Sequence, residues 1–292
     1  MAVVSRSASQ RERRYLALLR FGRNRAAIGG AIVLVLFILM AVFAGEVGRV
    51  DPLAVDLTVA RTGPSAAHPL GVDLVGRDVW SRLVHASRVS LSVGLGAVAI
   101  YTVIGVVLGS IAGYYRGWLD SVILRFTDIV MSFPVILILL VAVSLLGTGL
   151  TQLIVILGLL GWPAVARLVR GQFLSLREME FVLAARAVGA SDVRLIVRHL
   201  LPNTLGVVVV AGTFGVAAVI LIEASLSFLG MGVQPPTPSW GNMLKDAQSL
   251  SVLNAMPWLW APPGLMIFLT ILSINFLGDG LRDAFDPHSK PV

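Results

Sequence analysis

Glu223 is a carboxylate inside an otherwise apolar run, LIEASLSFL from Leu221 to Leu229. A charge six residues from the outer end of a membrane span is expensive unless paired, protonated or wetted. It therefore either lines a translocation path or makes a structural hydrogen bond near the interface. Asp128 stands in a similar run with Arg125 three residues before it, a helical spacing that permits an ion pair. Enzymatic constellations are missing. His68, His85, His199 and His288 show no H-E-x-x-H spacing, and no serine sits in a G-x-S-x-G elbow. Lys245 follows Leu244 and Lys290 follows Ser289, so neither is the lysine of a phosphate-binding loop. With no cysteine, disulfide and thiolate chemistry are closed. An intramembrane hydrolase has nothing here to act with.

The elements that must position these groups are membrane spans. Of the 292 residues 57% are hydrophobic and 13% charged, against about 25% charged in a soluble domain. Apolar runs long enough to cross a hydrocarbon core of about 30 Å cover 26–45, 89–113, 122–147, 150–169, 204–229 and 258–278. The first is long for a secretory signal and lacks a small-x-small exit, which favours an anchor. Six spans put both termini on one side. With the termini inside, the outer loops hold Arg49, Arg61, Arg77, Arg82, Arg88 and Lys245, and the other 17 of the 23 Lys and Arg lie inside. That asymmetry fixes an N-in, C-in orientation, and it explains the net charge of +7 better than nucleic-acid binding does. The chain then divides into a basic segment over 1–25, a six-span body over 26–279 with an outer loop at 47–88 and an inner loop at 171–202, and an inner tail over 280–292. Residues 10–25 mix arginines with Tyr15, Leu16, Leu18, Leu19 and Phe21, a pattern for an interfacial helix.

Gly105, Gly109 and Gly113 recur every four residues in the second span, a helix-packing signal. Pro134 and the Pro262–Pro263 pair can kink spans or open their hydrogen-bond ladders. The inner loop reads GQFLSLREMEFVLAARAVGASDVRLIVRHLLP from Gly171 to Pro202. Good helix formers from Glu178 to Val188, then Gly189, then Ala190-Ser191-Asp192 predict a short helix, a left-handed turn and a second helix. Small residues before the turn suit insertion into a partner's groove.

Ala184, Ala185 and Gly189, with Leu201 and Pro202 beyond, resemble the coupling loop of ABC importer permeases. Leu183 and His199 differ from the general motif in the manner of the dipeptide and oligopeptide branch, as does the run from Phe181 to Asn203. HPLGVDLVGRDVWSRLVHASRVSL from His68, LIEASLSFLGMGVQPPTPSWG from Leu221 and NFLGDGLRDAFDP from Asn275 are similar to the C-type permease subunit of the peptide/nickel family. The resemblance implies an all-α, six-span, type I-like permease in the plasma or inner membrane, transporting di- or oligopeptides, or alternatively nickel chelates or other small solutes. It implies a homologous second permease, two cytoplasmic ATPases carrying the ATP and Mg, and an extracytoplasmic substrate-binding protein. It implies no cofactor on this chain and no catalytic residue, and it makes Ala184, Ala185, Gly189, His199, Leu201, Pro202 and Asn203 the ATPase-coupling residues. An ATPase-independent channel or scaffold is the reading from another class. The 68–91 segment lies outside in this topology, where it either meets the binding protein or packs on its own spans.

Overall fold

The computed structural model describes residues 21–285, all helix and loop apart from one isolated bridge between Val72 and Asp78. Residues 10–20 of the expected interfacial helix and 286–292 of the tail lie outside the described residues. α1 (Arg25–Val42) starts on Asn24, whose side chain accepts from the Ala27 amide at 3.1 Å. A single turn, α2 (Ala44–Val47), leads to the outer loop.

α3 (Val79–Tyr115) begins ten residues before the expected second span. Asp78 caps it, accepting from the Ser81 amide at 2.7 Å, and Val79, Leu83, Val84 and Ala86 are buried along its extra turns. At about 1.5 Å per residue it runs roughly 55 Å, well beyond the hydrocarbon thickness, and it ends where Arg116 takes a φ of 58°.

The expected third span is not one helix. α4 (Gly117–Met131) and α5 (Val135–Leu146) meet at 84°. Pro134 has no amide to donate and biases Phe133 out of the helical region, so the apolar run continues while the helix does not. α6 (Leu150–Leu160) and α7 (Trp162–Leu176) form the fourth crossing, with Pro163 harmless in α7's first turn. The inner loop carries α8 (Glu180–Ala187) and α9 (Asp192–Arg194), then a π-helical turn over Leu195–Leu200 that runs into α10 (Leu201–Phe228). α11 (Trp240–Leu244) and α12 (Leu250–Ala255) lie in the last outer loop, and α13 (Pro257–Phe285) is the final crossing. Five helical stretches are long and apolar enough to cross a membrane, six if the bent pair is counted as one span.

α3 packs chiefly on α7, and α13 on α1 and α10. Three of α3's glycines, Gly105, Gly109 and Gly113, lie on the α7 contact. A methyl at Gly105 would stand 2.6 Å from Val165 Cβ, one at Gly113 2.6 Å from Phe173 Cβ, and one at Gly109 would collide with the Ala166 carbonyl. The backbones approach so closely because these positions have no side chain.

Candidate functional site: the braced inner loop

α8 stops at Gly189, whose φ of 82° is left-handed. The Gly189 amide donates to Arg186 O at 3.0 Å and the Ala190 amide to Ala185 O at 3.1 Å, closing the turn. Beyond it the π-helical turn has a local cause. Pro202 cannot donate, so the ladder shifts register and the Leu201 amide donates to Ile196 O. The Asn203 side chain then donates to the carbonyl of His199 at 2.6 Å.

One side of this loop is sunk in the bundle and the other is open. Val182, Leu195 and Leu200 are fully buried in the core that contains Phe173 and Tyr114. Val188 is 85% exposed and Val193 68%, with Phe181 and Leu183 also exposed. Ala184 is exposed and Ala185 half-buried beside them. Ala184, Ala185 and Gly189 thus share the apolar turn, whereas His199, Leu201, Pro202 and Asn203 sit at its base, where the chain re-enters α10.

The inner end of α3 grips the loop. The Tyr114 hydroxyl donates to Asp192 Oδ1 at 2.5 Å, the Arg186 guanidinium lies 5.9 Å from the centre of the Tyr114 ring, and Arg177 Nη1 donates to the Tyr114 carbonyl at 2.6 Å. Arg116 meets the Glu178 carboxylate at 3.1 Å. Arg170 donates to Asp120 from Nε and Nη2, at 2.5 and 2.7 Å. Asp128 pairs with Arg167 of α7, not with Arg125 as its spacing suggested. Sequence reading missed this brace because its partners stand far apart in the chain.

Glu223 is fully buried near the other end of the same two long helices. It accepts from Ser227 Oγ at 2.7 Å and from Ser90 Oγ at 3.3 Å. Ser90 Oγ accepts in turn from the Trp240 amide at 3.1 Å, and Ser227 Oγ from the Val233 amide at 3.2 Å. The carboxylate thus sits among the hydroxyls of Ser90, Ser227 and Ser239, which join α3, α10 and the outer hairpin over 229–239 that leads into α11.

The outer loop packs on the bundle around a second charged cluster. Asp73 accepts from Arg77 Nε at 2.7 Å and stands 3.7 Å from Arg82 Nε, with both Asp73 and Arg82 buried. Asp246 closes the group across a gap of about 10 Å³, enough for one water. Burial, and then the charge of Asp73, raise its carboxyl above the ordinary aspartate range.

Residues 105–291 match the family described as binding-protein-dependent transport system inner membrane component, and residues 14–64 match the N-terminal TM domain of oligopeptide transport permease C. A putative peptide permease protein of Brucella ovis is 44% identical over 93% of this chain and 90% of its own length. The dipeptide transport system permease protein DppC of Alkalihalophilus pseudofirmus is 42% identical over 92% and 88%. The glutathione transport system permease protein GsiD of Escherichia coli is 43% identical over 93% and 89%. Among solved structures, a chain of the MetNI methionine ABC transporter is similar in fold, with a TM-score of 0.57 and 22% identity over 70% of this chain and 96% of that one.

Proposed function

The chain belongs to the family of binding-protein-dependent transport system inner membrane components, multi-pass permeases of ABC transporters, and from that premise we propose that it is the C-type permease subunit of a di- or oligopeptide importer. It forms half of the solute path beside a homologous second permease. An extracytoplasmic protein delivers solute to the outer face, and two cytoplasmic ATPases supply the work. The peptide class rests on relatives named for peptide, dipeptide and glutathione transport.

The observation that carries this reading is the two-sided inner loop. Val188 and Val193 stand out from the turn at Gly189 while Tyr114, Val182 and Leu195 fix its other side. An apolar knob on a rigid base is what a groove in an ATPase needs in order to push on the spans. ATPase closure around nucleotide moves the knob, and α3 and α10 carry that movement across the membrane. The role of Ala184, Ala185 and Gly189 is mechanical.

Copurification from membranes through a tag on this chain tests the proposal. A second homologous permease and two ATPases are expected, with hydrolysis stimulated by the binding protein. Recovery of this chain alone, stable and conducting solute, would sink it in favour of a self-contained channel.

A further inference from the structure

Between α3, α5, α6 and α10 lies a cleft of about 170 Å³, walled by Val135 and Leu139 of α5, Leu157 and Leu160 of α6, and Val219 and Ile222 of α10. The one polar side chain lining it is Tyr101 of α3. Tyr101 is only 7% exposed, and its hydroxyl has no hydrogen-bond partner among the described residues. A tyrosine hydroxyl in apolar surroundings ordinarily finds a polar partner, and this one, opening into the cleft, meets such a partner only in what enters there.

The surroundings keep that ring and hydroxyl in place. A methyl group at Gly161 would collide with the Tyr101 ring, and one at Gly215 with its hydroxyl. The α5 wall starts at the break in the third crossing. Irregular backbone at membrane depth is tolerated where it is buried in protein or lines a cavity, and interrupted helices in transporters border solute sites. The cleft is similar in size to the engineered apolar core cavity of roughly 150 Å³ that takes up benzene. Its dimensions suit one aromatic or branched aliphatic group, and the hydroxyl requires a polar atom beside that group.

We propose that this cleft is a solute subsite on the translocation path: it receives an apolar side chain of the transported peptide while the Tyr101 hydroxyl donates to a peptide carbonyl. The proposal rests on the peptide-importer reading. Ala218 stands exposed at the mouth, and the chain has no native cysteine, so A218C gives one thiol per chain at the site.

The test uses the full complex with its partner subunits in proteoliposomes. A218C is modified by a small water-soluble methanethiosulfonate reagent with Ala-Ala, Ala-Leu or Ala-Phe present, and uptake of the same dipeptides by the unmodified complex is measured in parallel. The expected result is modification slowed about tenfold by Ala-Leu and Ala-Phe, little by Ala-Ala, with the protection reduced several-fold when Y101F is added. A218C that is never modified in any nucleotide state overturns the subsite, because a partner's side chain or lipid then fills the cleft. Modification unaffected by dipeptides that the unmodified complex takes up also overturns it, leaving the importer reading intact. A complex that takes up none of the three overturns the peptide reading and this ligand with it. If A218C fails to assemble, Y101F alone decides: a KM raised several-fold with kcat kept supports the donation to a peptide carbonyl, and an unchanged KM overturns it.

Discussion

Tyr114 donates its phenolic proton to Asp192 across 78 positions of chain, at 2.5 Å, so the inner end of α3 and the start of the segment leading into α10 are fastened at the base of the inner loop. Y114F removes that bond and keeps the ring beneath Arg186. A hydrogen bond to a charged group, discounted for its partial exposure, contributes about 1 kcal/mol. Peptide transported per ATP is expected to fall roughly fivefold, with chain abundance and assembly unchanged. Parallel measurement of uptake and hydrolysis checks this, and an unchanged ratio would remove the brace from the coupling route.

Gly189 has open space around it, so a side chain there meets nothing within 4 Å. The penalty for G189V is therefore backbone strain at φ 82°, about 1–2 kcal/mol, together with a changed knob surface. Normal membrane insertion and loss of binding-protein-stimulated hydrolysis are expected. Gly171 is also unobstructed but has no left-handed φ, and G171A should behave like the parent. ATPase assays on both variants separate local strain from a general effect of replacing glycine.

Gly109 is the tightest point of the α3–α7 contact. G109A forces the helices apart at the Ala166 carbonyl, at a cost of about 1–3 kcal/mol. The variant should unfold at lower temperature in detergent, as followed by thermal aggregation of a fluorescent fusion. An unchanged midpoint would mean that α7 yields without cost.

Glu223 gives opposite results depending on what its carboxylate does. As a tie between α3, α10 and the outer hairpin it tolerates E223Q, which still accepts from Ser227, whereas E223A leaves a void and unpaired hydroxyls and destabilises by about 2–4 kcal/mol. If a charge on the path is required, E223Q abolishes uptake while the fold survives. Uptake and thermal midpoint measured on both variants decide between the two.

Asp246 predicts a pH dependence on the outer side. Its folded-state pKa lies above the ordinary value, so folding favours the protonated form, and that contribution is lost as the pH rises through the raised value. D246N should therefore be more thermostable than the parent at neutral pH, and the difference should vanish below about pH 4. Melting curves across pH 4–8 measure it. A constant difference across that range would contradict the assignment.

The crossings were legible in the sequence because apolar length is a direct measure of membrane thickness, and the turn at Gly189 because few residues accept its backbone conformation. The break at Pro134 was not, since a proline inside an apolar run is compatible with a bend or an interruption, and the packing around it decides which. The start of α3 was missed because residues 79–88 mix charge with apolar groups, and only the folded outer loop buries Arg82 beside Asp73. Asp128 was matched to its sequence neighbour Arg125, yet it pairs with Arg167, which α7 brings alongside. Tyr101 carried no signal, because a tyrosine in a span is ordinarily satisfied by a neighbour that sequence does not reveal.

The 84° break has a consequence for how the chain rests in the bilayer. α4, at 15 residues, and α5, at 12, are each shorter than the roughly 20 a lone crossing needs. Neither half can rest among acyl chains as a finished span, and backbone groups freed at 132–134 each cost several kcal/mol against lipid. The two halves therefore depend on each other and on protein packed at the break, where irregular backbone is tolerated, for a stable place in the bilayer.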